Sequence, residues 1–327
     1  MNALRSHPAW TAAAALLSLF SVSVCTQAQS DSDVIPRTSW GQPLLQGYWT
    51  SSTVVPFERP HELGDKAFYT EEEAQERLER SLTTQETEVG TQADVHYQLD
   101  DYGLSRGQNE IVSSLRTSIV TSPADGRLPP LREQAQERGR QLQAWRAEHG
   151  FDSAPDRPLA ERCIIWPHEG PPLLPVGYNS NVQIMQTQDH LVLMSEMIHD
   201  ARVIPLDGIT PDSTAIPQWQ GSSWGHWEGD TLVVQTTGFS GRANPQGAPA
   251  PMAPNAVVTE RLTRLDDNTL QYAFTVSDPT LWESDWSGEY LMMATEGPIF
   301  EYACHEGNYG LPNNLSGARA TEGKGDN

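Results

Sequence analysis

The chain has 327 residues, with 43 Asp and Glu against 21 Lys and Arg, giving a formal net charge of −22 at neutral pH. That surplus repels phosphate backbones and anionic lipid surfaces, and no Lys/Arg cluster is dense enough to reverse it locally, which argues against a nucleic-acid partner. With 37% apolar residues the chain can build a core, while 24 Pro and 25 Gly make it rich in turns and irregular stretches.

Residues 1–28 read as a secretory signal peptide. Arg5 and His7 precede an apolar run from Trp10 to Val24, and Thr26 and Ala28 sit at −3 and −1 of a cleavage point before Gln29. Lipidation at Cys25 is the weaker alternative, because a bacterial lipobox wants a small residue where Val24 stands. The run is too short for a transmembrane helix and no later stretch is as apolar, so no membrane span and a periplasmic or secreted location are expected. Cleavage removes Arg5 and Cys25 and takes the charge from −22 to about −23. The two cysteines left, Cys163 and Cys304, have no zinc or haem spacing and are expected to form a disulfide; two separate buried thiols are the alternative.

Residues 29–160 read as a wrapping arm with two surface helices. Ile35 to Pro60 carries prolines with aromatics between them. Thr70 followed by Glu71, Glu72 and Glu73 predicts an N-cap and a helix near 70–82. Leu115 to Val120 looks like a strand, and Leu131 to His149 like a helix stopped by Gly150.

Residues 161–311 read as a mainly β body, an antiparallel meander. Its expected strands are Val182–Thr187, Leu191–Ile198, Ala201–Leu206, Ser222–Trp227, Thr231–Thr237, Val257–Leu265, Thr269–Ser277, Glu289–Ala294 and Ile299–Cys304. In Thr269–Ser277, Leu270, Tyr272, Phe274 and Val276 share one face, the alternation of a half-buried strand. So many strands must hide their edges, which favours a closed or half-closed lipocalin-like barrel over a β-sandwich. Only Gly241 to Pro254 is long enough to act as a flap, and residues 312–327 read as a flexible tail.

The segments GHWEGDTLVVQTTGF (Gly225 to Phe239), ERLTRLDDNTLQYAFTV (Glu260 to Val276), IFEYACHEGNYGL (Ile299 to Leu311) and MIHDARVIPLDG (Met197 to Gly208) resemble an uncharacterised family of secreted bacterial proteins. The likeness extends to RTSIVTSPADGRLPPL (Arg116 to Leu131) and to Glu161–Cys163. It implies an exported protein with a lipocalin-like β-rich body, and it supplies no activity or catalytic residue.

The candidate site therefore rests on ionisable residues that share strand faces with aliphatic ones. Glu196 is expected on the face of Val192, Met194 and Ile198; Glu260 and Arg264 on that of Val258 and Leu262; Glu301 on that of Ile299 and Ala303. A buried carboxylate needs a partner or a raised pKa, and Arg264, Arg261 and Arg202 are the available cations. Such residues are either structural ion pairs or the lining of a cavity. His199, Asp200, His226 and His305 fall near strand ends, where barrel sites gather, yet lack metal-ligand spacing, so neither a metal nor a cofactor is expected. Trp219, Trp224 and Trp227 would either plug a barrel end or stack on a ligand.

The sequence has no nucleophile elbow, P-loop, HExxH or dinucleotide fingerprint. The favoured function is a cofactor-independent hydrolase, lyase or isomerase acting on a neutral or cationic small molecule, with His199, Asp200, Arg202, His226, Glu260, Arg264 and His305 as the acid-base group; the alternative is a ligand carrier without turnover. In either, Trp219, Trp224, Trp227, Glu196 and Glu301 would contact the ligand. An envelope interaction module is a third reading.

Overall fold

The computed structural model describes residues 35–82, 114–175, 179–208, 216–243 and 252–322, without the side chains of 81 and 82. The expected signal peptide and most of the expected flap lie outside these. Ten strands build the body: β1 (Gly47–Thr50), β2 (Val120–Ser122), β3 (Asn181–Gln186), β4 (His190–Ser195), β5 (Ala201–Pro205), β6 (Ser222–Glu228), β7 (Thr231–Thr237), β8 (Val257–Arg264), β9 (Thr269–Ser277) and β10 (Trp286–Thr295). They form one antiparallel sheet in the order β5-β4-β3-β1-β10-β9-β8-β7-β6, with β2 added beside β10.

Two meanders, β3 to β5 and β6 to β10, are thus joined through a strand from the arm. β1 pairs with β3 on one side and β10 on the other, and its Trp49 is 1% exposed. Among the described residues no ladder joins β5 to β6. The two ends nevertheless come close: a Cβ on Gly225 of β6 would stand 2.9 Å from Leu206 Cδ2 and 3.3 Å from Ile204 Cγ2.

Alternation sets the buried face. In β9, Leu270, Tyr272, Phe274 and Val276 are buried while their neighbours are half-buried. Ile184, Leu191, Ile204, Leu232, Leu262, Trp286 and Trp49 join them in one core, where each large apolar side chain contributes about 1.5–3 kcal/mol on full burial. The glycine of the β6–β7 turn, Gly229, has a φ of 60°, which a side chain would disfavour.

Among the described residues three α-helices lie outside the sheet. In α1 (Glu71–Leu82) the Thr70 hydroxyl accepts from Glu73 N at 3.2 Å and the Glu73 carboxylate accepts from Thr70 N at 2.8 Å, a reciprocal capping box. α2 (Glu133–His149) buries only Ala135 and Gly139, as expected of a surface helix. α3 (Gly310–Glu322) occupies most of what reads as a flexible tail. Its Pro312 sits in the first turn, where a missing N–H costs nothing, and Asn314 donates to Glu161 at 3.0 Å.

Three expected strands differ. Ile299–Cys304 is not a strand: both sides of β10 are already taken, Pro298 has no N–H to give, and Phe300 is 61% exposed. Leu115–Val120 contributes only Val120, because the backbone N–H groups of Thr117 and Ile119 go to Ala67 and Pro56 of the arm. The strand from Leu191 stops at Ser195, where the chain turns through Met197–His199 with left-handed backbone at Ile198 (φ 58°) and His199 (φ 48°). The sulfurs of Cys163 and Cys304 lie at bonding distance, with their Cα atoms 5.7 Å apart. No helix among the described residues is long and apolar enough to cross a membrane.

Candidate functional site

The expected interior carboxylate is present, and it is fully engaged. Glu260 on β8 has no exposed surface and accepts two hydrogen bonds from the Arg202 guanidinium of β5, both 2.7 Å. It also accepts from the Tyr272 hydroxyl at 2.5 Å. That hydroxyl in turn accepts from Leu173 N at 2.8 Å, and Tyr290 donates to Leu173 O at 3.1 Å. The loop backbone at Leu173 is thereby tied to the buried faces of β9 and β10. Burial opposes the charge on Arg202, but Glu260 more than offsets it and leaves the guanidinium above its ordinary value. Burial first, and the Glu260 charge second, hold both phenols well above theirs.

The other expected members do not join this pair. Arg264 lies on the buried face with Val258 and Leu262 as expected, but its guanidinium donates to the backbone oxygens of Leu44, Asp266 and Asp267 and lies over Trp49 at 5.3 Å. It staples the β8–β9 turn to the arm. His199 is exposed and its Nδ1 meets Tyr302 O at 2.9 Å; the exposed Asp200 accepts from Gln220 at 3.1 Å. His226 and Arg261 both pair with Glu228 on the surface, at 3.2 and 2.9 Å. His305 and Glu301 are exposed in the irregular stretch after β10.

Glu196 is buried, but beyond the end of β4 rather than on its face. The strand buries Leu191, Leu193 and Ser195 and leaves Val192 and Met194 half-buried, the opposite register from the expected one. Glu196 accepts from Asn179 Nδ2 at 2.7 Å and Asn181 Nδ2 at 2.8 Å. Among the described residues no three of His, Cys, Asp and Glu are grouped to hold a metal ion.

A pocket with about 180 Å³ of interior space is lined by residues of the loops and of α2. Its lining includes Leu159, Ile165 and Trp166 of the loop after α2, Trp219 before β6, Phe239 after β7, and Met252. Arg146 of α2 and Arg242 line it as well, and among the described residues no carboxylate or histidine does. Trp219 lines this pocket, whereas Trp224 is buried at 9% exposure on the opposite face of β6 from Trp227, which packs against the main core.

A second, smaller space of about 10 Å³ is lined by His168, Glu169, Asn179 and Asn181 together with the apolar Leu173, Leu174, Val182 and Met197. Burial pushes Glu169 up to about 8, with the charge of Asp200 adding to it, and burial pulls His168 down to about 4.

No family model, curated protein or solved structure matches this chain.

Apart from Trp219, sequence reasoning missed the lining of both spaces. Arg146 reads as one more charge on a surface helix, and His168-Glu169 stands in a proline-rich run without periodicity. The one available signal was the expected flap, whose two described ends, at Arg242 and Met252, both reach the larger pocket.

Proposed function

We propose that this is an exported small-molecule-binding protein, a half-closed lipocalin-like barrel whose ligand sits in the loop pocket rather than in the interior. The observation that carries this reading is the pocket's composition: tryptophan, phenylalanine, leucine, isoleucine and methionine with two arginines and no acid, in a chain with 43 acids against 21 Lys and Arg. Neither Arg146 nor Arg242 has an ion-pair partner among the described residues. Local charge therefore favours an amphipathic anion with a flat apolar body and a carboxylate or sulfate group, not the neutral or cationic ligand that the overall charge suggests.

Of the two leading functions, the carrier fits this lining better than the enzyme. General acid-base work needs a titratable group within hydrogen-bond reach of the ligand, and the pocket's lining has only guanidinium groups. The buried Arg202–Glu260 pair is better suited to holding the wall together.

The test is calorimetric titration with aromatic and long-chain carboxylates, each against its neutral amide. Carboxylates should bind about tenfold or more tightly than amides, since a charge-assisted hydrogen bond contributes about 1.5–3 kcal/mol. The double variant R146A/R242A should erase that preference, while Trp219→Ala should weaken both classes. Equal affinity for acid and amide in the unaltered protein, or no binding of either, would refute the reading.

A further inference from the structure

The 166–171 loop is held firmly at both ends and loosely between them. Upstream, the Cys163 sulfur stands at bonding distance from that of Cys304. Downstream, Leu173 gives its N–H to the Tyr272 hydroxyl and accepts from Tyr290. Between these anchors, Pro167 and Pro171 have no N–H to give. Among the described residues the loop's main chain makes two hydrogen bonds, Glu169 N to Trp166 O at 3.2 Å and Leu174 N to His168 O at 2.8 Å. No side chain bonds Trp166 Nε1, His168 Nε2 or either Glu169 carboxyl oxygen, although all four atoms are buried. Such a segment is kept in place by apolar packing more than by bonds, and it belongs to the part of a fold that opens first.

Glu169 is 2% exposed and lies among Leu173 and Leu174 of its own stretch, Val182 of β3 and Met197 of the turn after β4. Ser51 of the arm and Ser195 of β4 line the same space and bring no charge. His168 lines it too, but burial keeps the imidazole neutral down to about 4. The charge of Asp200, at the end of the turn, opposes ionisation of the carboxyl. Glu196 adds a further negative charge, held by the Asn179 and Asn181 amides that line the space. No Lys or Arg lines it. The Trp166 backbone alone favours the anion, and burial outweighs it. A neutral carboxyl therefore suits this lining, and a carboxylate does not.

We propose that the 166–171 loop is a proton-operated latch on the ligand pocket, closed while Glu169 is protonated and open once the carboxylate must reach water. The same loop contributes Trp166, Pro167, Gly170 and Pro171 to the pocket's lining, so its opening removes one wall of that pocket. The latch itself stands on the packing of the loop; its use in releasing a ligand rests on the reading of the pocket given above.

The experiment is hydrogen exchange of the full-length protein without ligand, read by mass spectrometry at about pH 6.5 and about pH 9, with exposure times scaled for the base-catalysed rate. Glu169 loses its proton at about 8 with the loop closed and near 4.5 with it open, so opening across residues 164–174 should rise about thirtyfold between the two conditions. Exchange there should outpace that of β9 at both. Glu169→Gln keeps the volume and cannot ionise, so its loop should show no such rise. Glu169→Leu, matched to the apolar lining, provides a second variant with the same expectation. A carboxylate bound at the lower pH should dissociate faster at the higher one from the unaltered chain, and not from Glu169→Gln. Loop exchange that ignores pH, an equal rise in both variants, a loop that opens only together with β9, or a carboxylate that leaves at one rate in both conditions would each overturn the latch. Failure of every carboxylate to bind would refute the pocket reading instead, and exchange, which needs no ligand, would still decide the latch.

Discussion

Replacing Glu260 by glutamine tests whether the buried ion pair is scaffold. The carboxylate has no exposed surface, receives both guanidinium nitrogens of Arg202 at 2.7 Å, and joins β8 to β5 near the opposite end of the sheet. The amide would keep the volume and one acceptor for Tyr272. It would also leave the Arg202 cation, 8% exposed, with no counter-charge. Removing one partner of a buried pair typically costs about 3–5 kcal/mol. At about 2 °C per kcal/mol for a chain of this size, Tm should fall by about 6–10 °C. Substituting both partners, Arg202→Met with Glu260→Leu, should recover most of the loss because no charge is then stranded. His305→Ala is the contrast: this exposed side chain should change stability by about 0.5 kcal/mol or less. Differential scanning calorimetry of the four proteins gives the answer. A Tm for Glu260→Gln within about 2 °C of the unaltered chain, less than the loss of one kcal/mol would give, would refute the scaffold reading, since the pair would then be solvated or dispensable.

Thiol titration of the denatured, unreduced protein should find no free thiol in the mature chain, because Cys163 and Cys304 stand at bonding distance across 141 residues. Reduction should destabilise by up to about 5 kcal/mol in the chain-entropy model, and two free thiols before reduction would exclude the bond. Stability should also fall as pH rises from 6.5 to 8. Glu169 keeps its proton in the folded chain up to about 8 but loses it near 4.5 when unfolded, so the unfolded state is increasingly favoured across that span. His168, pulled from 6.5 to about 4, acts only below this window and in the opposite direction: its burial costs stability as pH falls. The expected slope is about 1.4 kcal/mol per pH unit between 6.5 and 8, absent in Glu169→Gln; urea titrations showing a flat profile in the unaltered protein would contradict it.

Local rules are legible in the sequence wherever one element decides the outcome. The alternation of Leu270, Tyr272, Phe274 and Val276 names the buried face of β9, because side chains on a strand point to opposite sides by turns. Thr70 and Glu73 announce the start of α1, and the two cysteines outside the expected signal peptide, Cys163 and Cys304, stand at bonding distance. Glu260 and Arg264 were likewise placed on one buried face by their spacing. Spacing along a strand cannot name a partner, however: four residues span about 13 Å, and the group that meets Glu260 comes from β5, nearly sixty residues earlier. The same limit hid β1, four residues of a proline-rich arm whose role as the bridge between two meanders depends on strands that follow it by more than a hundred residues. The arginine-lined pocket, and the 166–171 loop that separates it from the smaller space beside Glu169, come from segments with no period to read. Their chemistry exists only because the fold brings Arg146 near Arg242, and Glu169 near Asn181.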